Sequence, residues 1–208
     1  MTRPRLLDLF CGAGGCSVGY HRAGFDIVGV DNRPQPHYPY EFHQADALTF
    51  PLDGFDAVHA SPPCQAFSTA RVDSSVEHPD LLTPTRQRLR AHGVPYVIEN
   101  VPNAPMPSAV VLCGSAFGLP LIRHRMFEIV PFMLIPDQCF AKRYGRATDH
   151  GPDYAPYARG SWRDRWRIEV LPVVWPWMTL EESGQAIPPA YTELIGHHLL
   201  AHLGGVAA

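Results

Sequence analysis

The sequence contains no apolar run near the ~18 residues that a membrane-spanning helix needs, and residues 1–20 mix charges and glycines where an export leader would be apolar. The expectation is a chain that is neither inserted nor exported. Paired cysteines are also missing. The five present are odd in number and form no CxxC pair, which argues against a disulfide framework and against the common zinc sites. A reducing cytoplasm and no resident metal follow as expectations. Strong charge of one sign is absent too: at a formal charge of −3, no global basic field announces a nucleic-acid partner, so local patches must decide. There is no internal repeat and no low-complexity tract. The histidines form no HExxH-like group and read as surface or packing residues.

What is present describes one catalytic or binding unit. A length of 208 residues fits a single domain with a real core, and 46% hydrophobic with 18% charged residues is ordinary globular composition. Proline is the outlier. Twenty-two prolines, many of them in residues 34–63 and 102–136, predict long stiff connections around a regular scaffold. Loops of that kind often carry chemistry.

Residues 5–10 (RLLDLF) form a short apolar run that stops at a glycine-rich turn, followed by a helical stretch over 17–23 ended by Gly24. A second buried strand over 25–30 closes at Asp31, a third is expected to end near Asp46, and a fourth over 55–60 delivers Cys64 just past its end. Thr83 is the expected cap of a helix with Pro84 in its first turn, running to His92 and Gly93. Residues 96–98 make a fifth strand that ends at Glu99, and 125–130 (RMFEIV) alternate like another. Periodicity then dissolves from 131 to about 177 and returns as a helix over 189–203. Strand, turn, helix in this order predicts a mostly parallel α/β sheet with helices on both faces. Ligands of such sheets bind at the carboxyl ends of the strands, where Asp31, Asp46, Cys64 and Glu99 all fall.

Each of these groups has more than one reading. The glycines of Gly12-x-Gly14-Gly15 either make a tight turn or let backbone approach a ligand, and Asp31 at the next strand's end suits ribose hydroxyls of a nucleoside-containing cofactor. Asp46 can hold an adenine amino group or cap a turn. Cys64 can be an inert buried thiol, a metal ligand without partners at workable spacing, or a nucleophile whose pKa is lowered by the field of Arg123 and Arg125. Glu99 follows apolar strand residues, so its pKa should rise far enough for it to donate a proton; pairing with an arginine is the other reading, and both can hold at once.

Taken in order, DLFCGAGG (residues 8–15), the acids Asp31 and Asp46, PPCQAFS (62–68), ENV (99–101), RHR (123–125) and QAIPPAYTELIG (185–196) resemble the DNA cytosine-C5 methyltransferase family. The resemblance implies a Rossmann-like S-adenosylmethionine-dependent methyltransferase fold, with residues 1–130 plus 178–208 as the catalytic domain and 131–177 as a reduced target-recognition insert. It implies S-adenosylmethionine contacts at Phe10, Gly12, Ala13, Gly14, Gly15, Asp31, Asn32, Asp46, Ala47, Pro63, Leu81, Gln185 and Ala186. Cys64, Glu99, Arg123 and Arg125 take the catalytic places: Cys64 attacks C6 of cytosine, Glu99 engages N3, and the arginines orient the base and the thiol. Gln65, Ser68 and Arg71 begin a loop over 65–82 that can close on the substrate. The partner implied is DNA, single-stranded or a duplex from which the cytosine is flipped.

Three departures qualify the resemblance. The family's long recognition domain shrinks here to residues 131–177, which predicts short or relaxed sequence specificity, or alternatively an RNA or free-nucleotide substrate; a non-catalytic cofactor-binding or DNA-binding regulator is the reading of another class. Leu121 stands where the arginine motif commonly starts with glutamine. Gln185 replaces the usual asparagine of the last motif, which leaves room for a modified S-adenosylmethionine. In the insert Arg163 and Arg165 join Lys142, Arg143, Arg146, Arg159 and Arg167 among Tyr144, Tyr154, Tyr157, Trp162 and Trp166, a mix suited to phosphate contact and base stacking. Five acidic residues dilute that charge, and a solvated loop pinned by aromatic packing is the other reading.

Overall fold

A computed structural model describes residues 2–67, 78–119, 121–134, 155–156 and 170–206. Its main sheet begins with β1 (Arg5–Leu9), followed by β2 (Asp26–Asp31), β3 (Glu41–Gln44), β4 (Ala57–Ala60) and β5 (Tyr96–Asn100). The remaining strands are β6 (Val110–Leu112), β7 (Leu121–Ile122), β8 (Arg125–Val130) and β9 (Ala155–Pro156). The seven-stranded order is β3-β2-β1-β4-β5-β8-β6. β1 to β5 run parallel, and β8 is antiparallel to both β5 and β6. β7 and β9 pair separately. Because the chain leaves β1 first to one side and then to the other, the crevice beyond the ends of β1 and β4 is the topological switch point where such sheets bind ligands.

Strand residues alternate between two apolar clusters, as a sheet covered on both faces requires. Leu6, Ile27, Ala57 and Val97 pack toward α1 (Gly15–Ala23) and the long carboxyl-terminal helix, through Tyr20, Tyr191, Ile195 and Leu199. Leu7, Leu9, Val28, Val30, Val58 and Ile98 pack toward α2 (Leu82–His92), through Leu82 and Leu89. Two short helices, α3 (Leu171–Val174) and α4 (Leu180–Gln185), precede that long helix, α5 (Pro189–Val206).

Several expectations move by a few residues, each for a local reason. β1 stops at Leu9 because Phe10 adopts a positive φ of 58°, which a strand cannot hold. β3 ends at Gln44, two residues before Asp46, whose carboxylate instead accepts from the Leu48 N–H at 2.9 Å and shapes a turn. Thr83 is not the cap of α2. Asp80 takes that role, its carboxylate accepting from the N–H groups of Leu82 at 2.8 Å and Thr83 at 3.1 Å, while the Thr83 hydroxyl donates to it. The expected insert boundary at 177 falls inside a packed cluster: Val170, Val174, Trp175 and Met178 lie with Ala13 and Leu121.

Candidate active site

The glycine turn follows β1 directly. The Phe10 backbone turns left, the Cys11 N–H bonds Val30 O at 3.1 Å, and Gly12 and Gly14 hold φ of 50° and 86°. Asp31 at the end of β2 accepts from the Gly12 N–H at 3.1 Å and from the Arg33 N–H at 3.0 Å. Two lone pairs of that carboxylate are left for a ligand. A Cβ built on Gly12 would meet no atom within 4 Å, so the turn faces open space beside Asp31. Asn32 and Asp46 are exposed nearby, while Ala47 is buried and gives its carbonyl to Arg88 at 2.9 Å. Leu81 occupies the residue before α2.

Behind the turn the carboxyl-terminal motif closes the wall. A Cβ on Gly15 would lie 2.5 Å from Ile187 O and 3.2 Å from the Ala186 side chain, so only glycine lets these two segments touch. Gln185, at the end of α4, is exposed. The Trp177 indole donates to Ala13 O at 2.8 Å, and the Trp175 indole to Ile187 O at 3.1 Å. Neither tryptophan was singled out from the sequence as holding the turn, because both lie in the stretch without periodicity.

Cys64 opens a single turn of 3-10 helix, Cys64–Ala66, closed by the Phe67 N–H on Cys64 O at 2.9 Å. Its approach is fixed twice. The Ser61 N–H continues the sheet ladder to Leu9 O at 3.1 Å, and Asn100 donates to Pro62 O at 3.0 Å while accepting from the Val101 N–H at 2.9 Å. Pro62 and Pro63 are thus clamped to the end of β5, which carries Glu99. Gln65 is the middle residue of this turn. Ser68, Arg71, Arg163 and Arg165 lie outside the described residues.

Glu99 and Arg125 form an ion pair at 3.1 Å with the carboxylate only 8% exposed. They meet because Glu99 faces Phe127 across the β5–β8 ladder and Arg125 stands two residues before Phe127, on the same face. Burial pushes the Glu99 carboxyl up, and Arg125, Ser61 and Arg123 pull against that without reversing it. For Cys64, burial and the two nearby arginines pull in opposite directions. Burial raises the thiol, Arg125 pulls it down, Glu99 raises it, and Arg123 adds a weaker downward pull; the net direction is up. The two arginines do supply a field, and desolvation outweighs it.

Arg123 sits differently from Arg125. It is buried, donates from Nη2 to Gly184 O at 3.0 Å, lies 5.9 Å from the Trp175 ring and gives its carbonyl to the Tyr191 hydroxyl at 2.7 Å. These contacts brace the cofactor wall against α5. Leu121, in the place of the family's glutamine, is fully buried in that wall. Asp8 lies beneath the turn, accepting from the Ser17 hydroxyl, which also bonds the Tyr38 hydroxyl at 2.7 Å. Burial raises the Asp8 carboxyl to about 7.

A mostly parallel sheet with a glycine turn at its switch point, an acid at the neighbouring strand end and a clamped thiol at the mouth defines a Rossmann-like α/β scaffold. Residues 4–105, just under half of the chain, match the family model of C-5 cytosine-specific DNA methylases. It is 30% identical over 158 residues to the Type II methyltransferase M.HgiDI of Herpetosiphon aurantiacus, covering 60% of this chain and 51% of that protein. M.AquIA of Picosynechococcus is 24% identical over 238 residues, covering 89% and 90%. Among solved structures, a DNMT2 variant from Spodoptera frugiperda matches with a TM-score of 0.46 at 19% identity, covering 60% of this chain and 48% of that one. The chain thus spans about half the length of M.HgiDI.

Proposed function

We propose that this chain transfers a methyl group to C5 of cytosine in DNA through a transient bond between Cys64 Sγ and C6, with short or relaxed sequence specificity. The observation that carries the reading is the placement of Cys64 on a clamped double proline beside the buried Glu99–Arg125 pair. S-adenosylmethionine fits the donor side: the open space at Gly12, the spare lone pairs of Asp31 and the wall built by Gly15, Ala186 and Trp177 suit a nucleoside with a small charged tail. When bound, it supplies the electrophilic methyl group.

The chain's own residues would do the rest. Glu99 in its protonated form donates to N3 of the cytosine, which draws electrons from the ring and makes C6 open to attack. Losing that carboxylate charge also removes one of the two influences that hold the Cys64 thiol up. Sγ, its proton released to solvent, would then bond C6 as the electron pair moves to C5; C5 would take the methyl group as the bond from that group to the donor's sulfonium sulfur breaks, and loss of the C5 proton to water would restore the C5–C6 double bond and expel the thiolate, the N3 proton returning to Glu99. Arg125, 17% exposed, keeps the Glu99 carboxyl in place.

The test is tritiated-methyl transfer onto duplex DNA, single-stranded DNA, RNA and cytidine nucleotides, with trapping on 5-fluorocytosine oligonucleotides. Transfer to DNA with a trapped covalent adduct is expected. Cys64→Ala should lower the rate at least about a thousandfold while leaving cofactor binding intact. Transfer confined to RNA or nucleotides would overturn the substrate, and undiminished transfer by Cys64→Ala would overturn the mechanism.

A further inference from the structure

Behind Glu99 runs a buried polar chain that the proposed reaction does not use. The Tyr20 hydroxyl, on α1, stands 3.0 Å from His59 Nδ1 on β4, and His59 Nε2 stands 2.9 Å from the Ser61 hydroxyl. Ser61 in turn hydrogen-bonds the Glu99 side chain. Tyr20 and His59 are fully buried, and their rings pack at 5.3 Å between centroids. Three polar groups in a core are costly unless each is satisfied in a definite direction.

The direction can be worked out from the donors. Burial lowers the His59 imidazole to about 3, so at neutral pH the ring is neutral and carries one N–H. Among the described residues the Tyr20 hydroxyl has His59 Nδ1 as its hydrogen-bond partner and no other. Its proton is satisfied only if Nδ1 accepts, which puts the ring proton on Nε2. Nε2–H then donates to the Ser61 oxygen, and the Ser61 proton is left to point at Glu99.

We infer that Tyr20, His59 and Ser61 are positioning residues that act through Ser61 to hold the Glu99 carboxyl and to set the pH at which it gives up its proton. This rests on the reading of Glu99 as the proton donor to the base. The chain favours the carboxylate over the acid and so opposes the upward push of desolvation on the Glu99 carboxyl. The other groups that act on Glu99 or feel its charge are Arg125 on β8, Arg123 before it, Cys64 on its turn, Cys16 on α1 and Asp8 on β1. Among the described residues, the two arginines and Ser61 are the groups that favour its charge. Cys16 Sγ lies 3.9 Å from the Ser61 oxygen, too long and too weak a donor to replace His59.

The experiment follows Glu99 by carbon-13 carboxyl titration and His59 by nitrogen-15 shifts, in the full chain and in Ser61→Ala, Ser61→Thr and Tyr20→Phe. In the unaltered protein His59 should show the Nε2–H tautomer. Ser61→Ala should raise the Glu99 pKa by about one pH unit, the size expected for one hydrogen bond to a carboxylate. Ser61→Thr should restore it, and Tyr20→Phe, which keeps the packed ring, should produce a tautomer mixture and a smaller rise. The high-pH limb of the methyl-transfer profile should move upward with Glu99 in Ser61→Ala. An Nδ1–H tautomer, or an unmoved Glu99 titration in Ser61→Ala, would overturn the inference even if the protein transfers methyl groups. Titrations that shift as expected in a protein without transferase activity would uphold the relay and sink only the function proposed above.

Discussion

The two halves of the switch-point crevice are organised by different means. On the donor side, around β1, β2 and α4, the charged groups are spent on local geometry: Asp31 holds the Gly12 and Arg33 amides, Asp46 shapes its own turn, and Glu182 caps α4 with Thr179. Shape does the remaining work, through glycine contacts and indole N–H bonds. On the acceptor side, around β4, β5 and β8, no comparable turn is needed. Two prolines and Asn100 fix the backbone, and what distinguishes the site is an ion pair, with a thiol and a carboxyl both pushed up by burial. One side selects by fit, the other stores reactivity as displaced protonation states.

The sharpest way to break the donor side is therefore steric. Gly15→Ala places a Cβ at 2.5 Å from Ile187 O and 2.9 Å from Ile187 N, both backbone atoms that cannot swing aside. The wall must part, at a cost of about 3 kcal/mol. The expected outcome in calorimetry is a loss of S-adenosylmethionine affinity of about a hundredfold or more, with a lowered melting temperature. The Glu99 titration on the acceptor side should not move. An unchanged affinity would mean that the wall and the donor pocket are independent.

The donor side was also the more legible in the sequence. Glycines, a strand-ending acid and a helix at standard spacing reveal Gly12, Gly14, Gly15 and Asp31 because backbone conformation demands those residue types. The sheet and its parallel order were readable for the same reason, since buried strands alternate by rule. Trp175 and Trp177 were not, because packing of an irregular segment leaves no period to detect. Asp80 was hidden behind a better-looking Thr83. On the acceptor side Cys64 and Glu99 were visible by motif, yet the sign of the Cys64 shift was not, because it depends on whether burial or two arginines prevail. His59 read as a packing histidine, and buried it is; its partners Tyr20 and Ser61 belong to three-dimensional proximity alone.

Asp8 offers a test of whether the donor side stores any protonation energy of its own. Burial lifts its carboxyl from 3.8 to about 7, one oxygen is taken by Ser17 and the other has no hydrogen-bond partner among the described residues. With a raised folded-state pKa, the native protein holds a proton that the unfolded chain has released. The associated stability is full below 3.8, declines as pH rises and is gone above about 7. Asp8→Asn mimics the neutral acid at every pH. Between pH 5 and pH 7 the unaltered protein should lose about 2 kcal/mol relative to this variant in denaturant melts. Parallel pH dependences in the two proteins would show that Asp8 keeps one protonation state throughout and would return the donor side to geometry alone.

The smallest effect is expected where charge on the donor side reaches the surface. His37 Nδ1 meets Glu182 Oε1 at 2.8 Å, joining the loop before β3 to α4 across the glycine turn, but His37 is 45% exposed. Burial pushes the Glu182 carboxyl up; the bonds from His37 and Thr179 pull it further down, and the net direction is down. A lowered folded-state pKa makes this contribution present above the ordinary 4.5 and lost as pH falls through the folded value. An exposed pair is worth at most about 1 kcal/mol, so His37→Ala should weaken S-adenosylmethionine binding by no more than about fivefold. The difference should shrink at high salt, and the two proteins should converge in acid. A larger and salt-resistant loss would mean that His37 touches the donor molecule itself, because Glu182 keeps its capping bonds to Thr179 whether or not His37 is present.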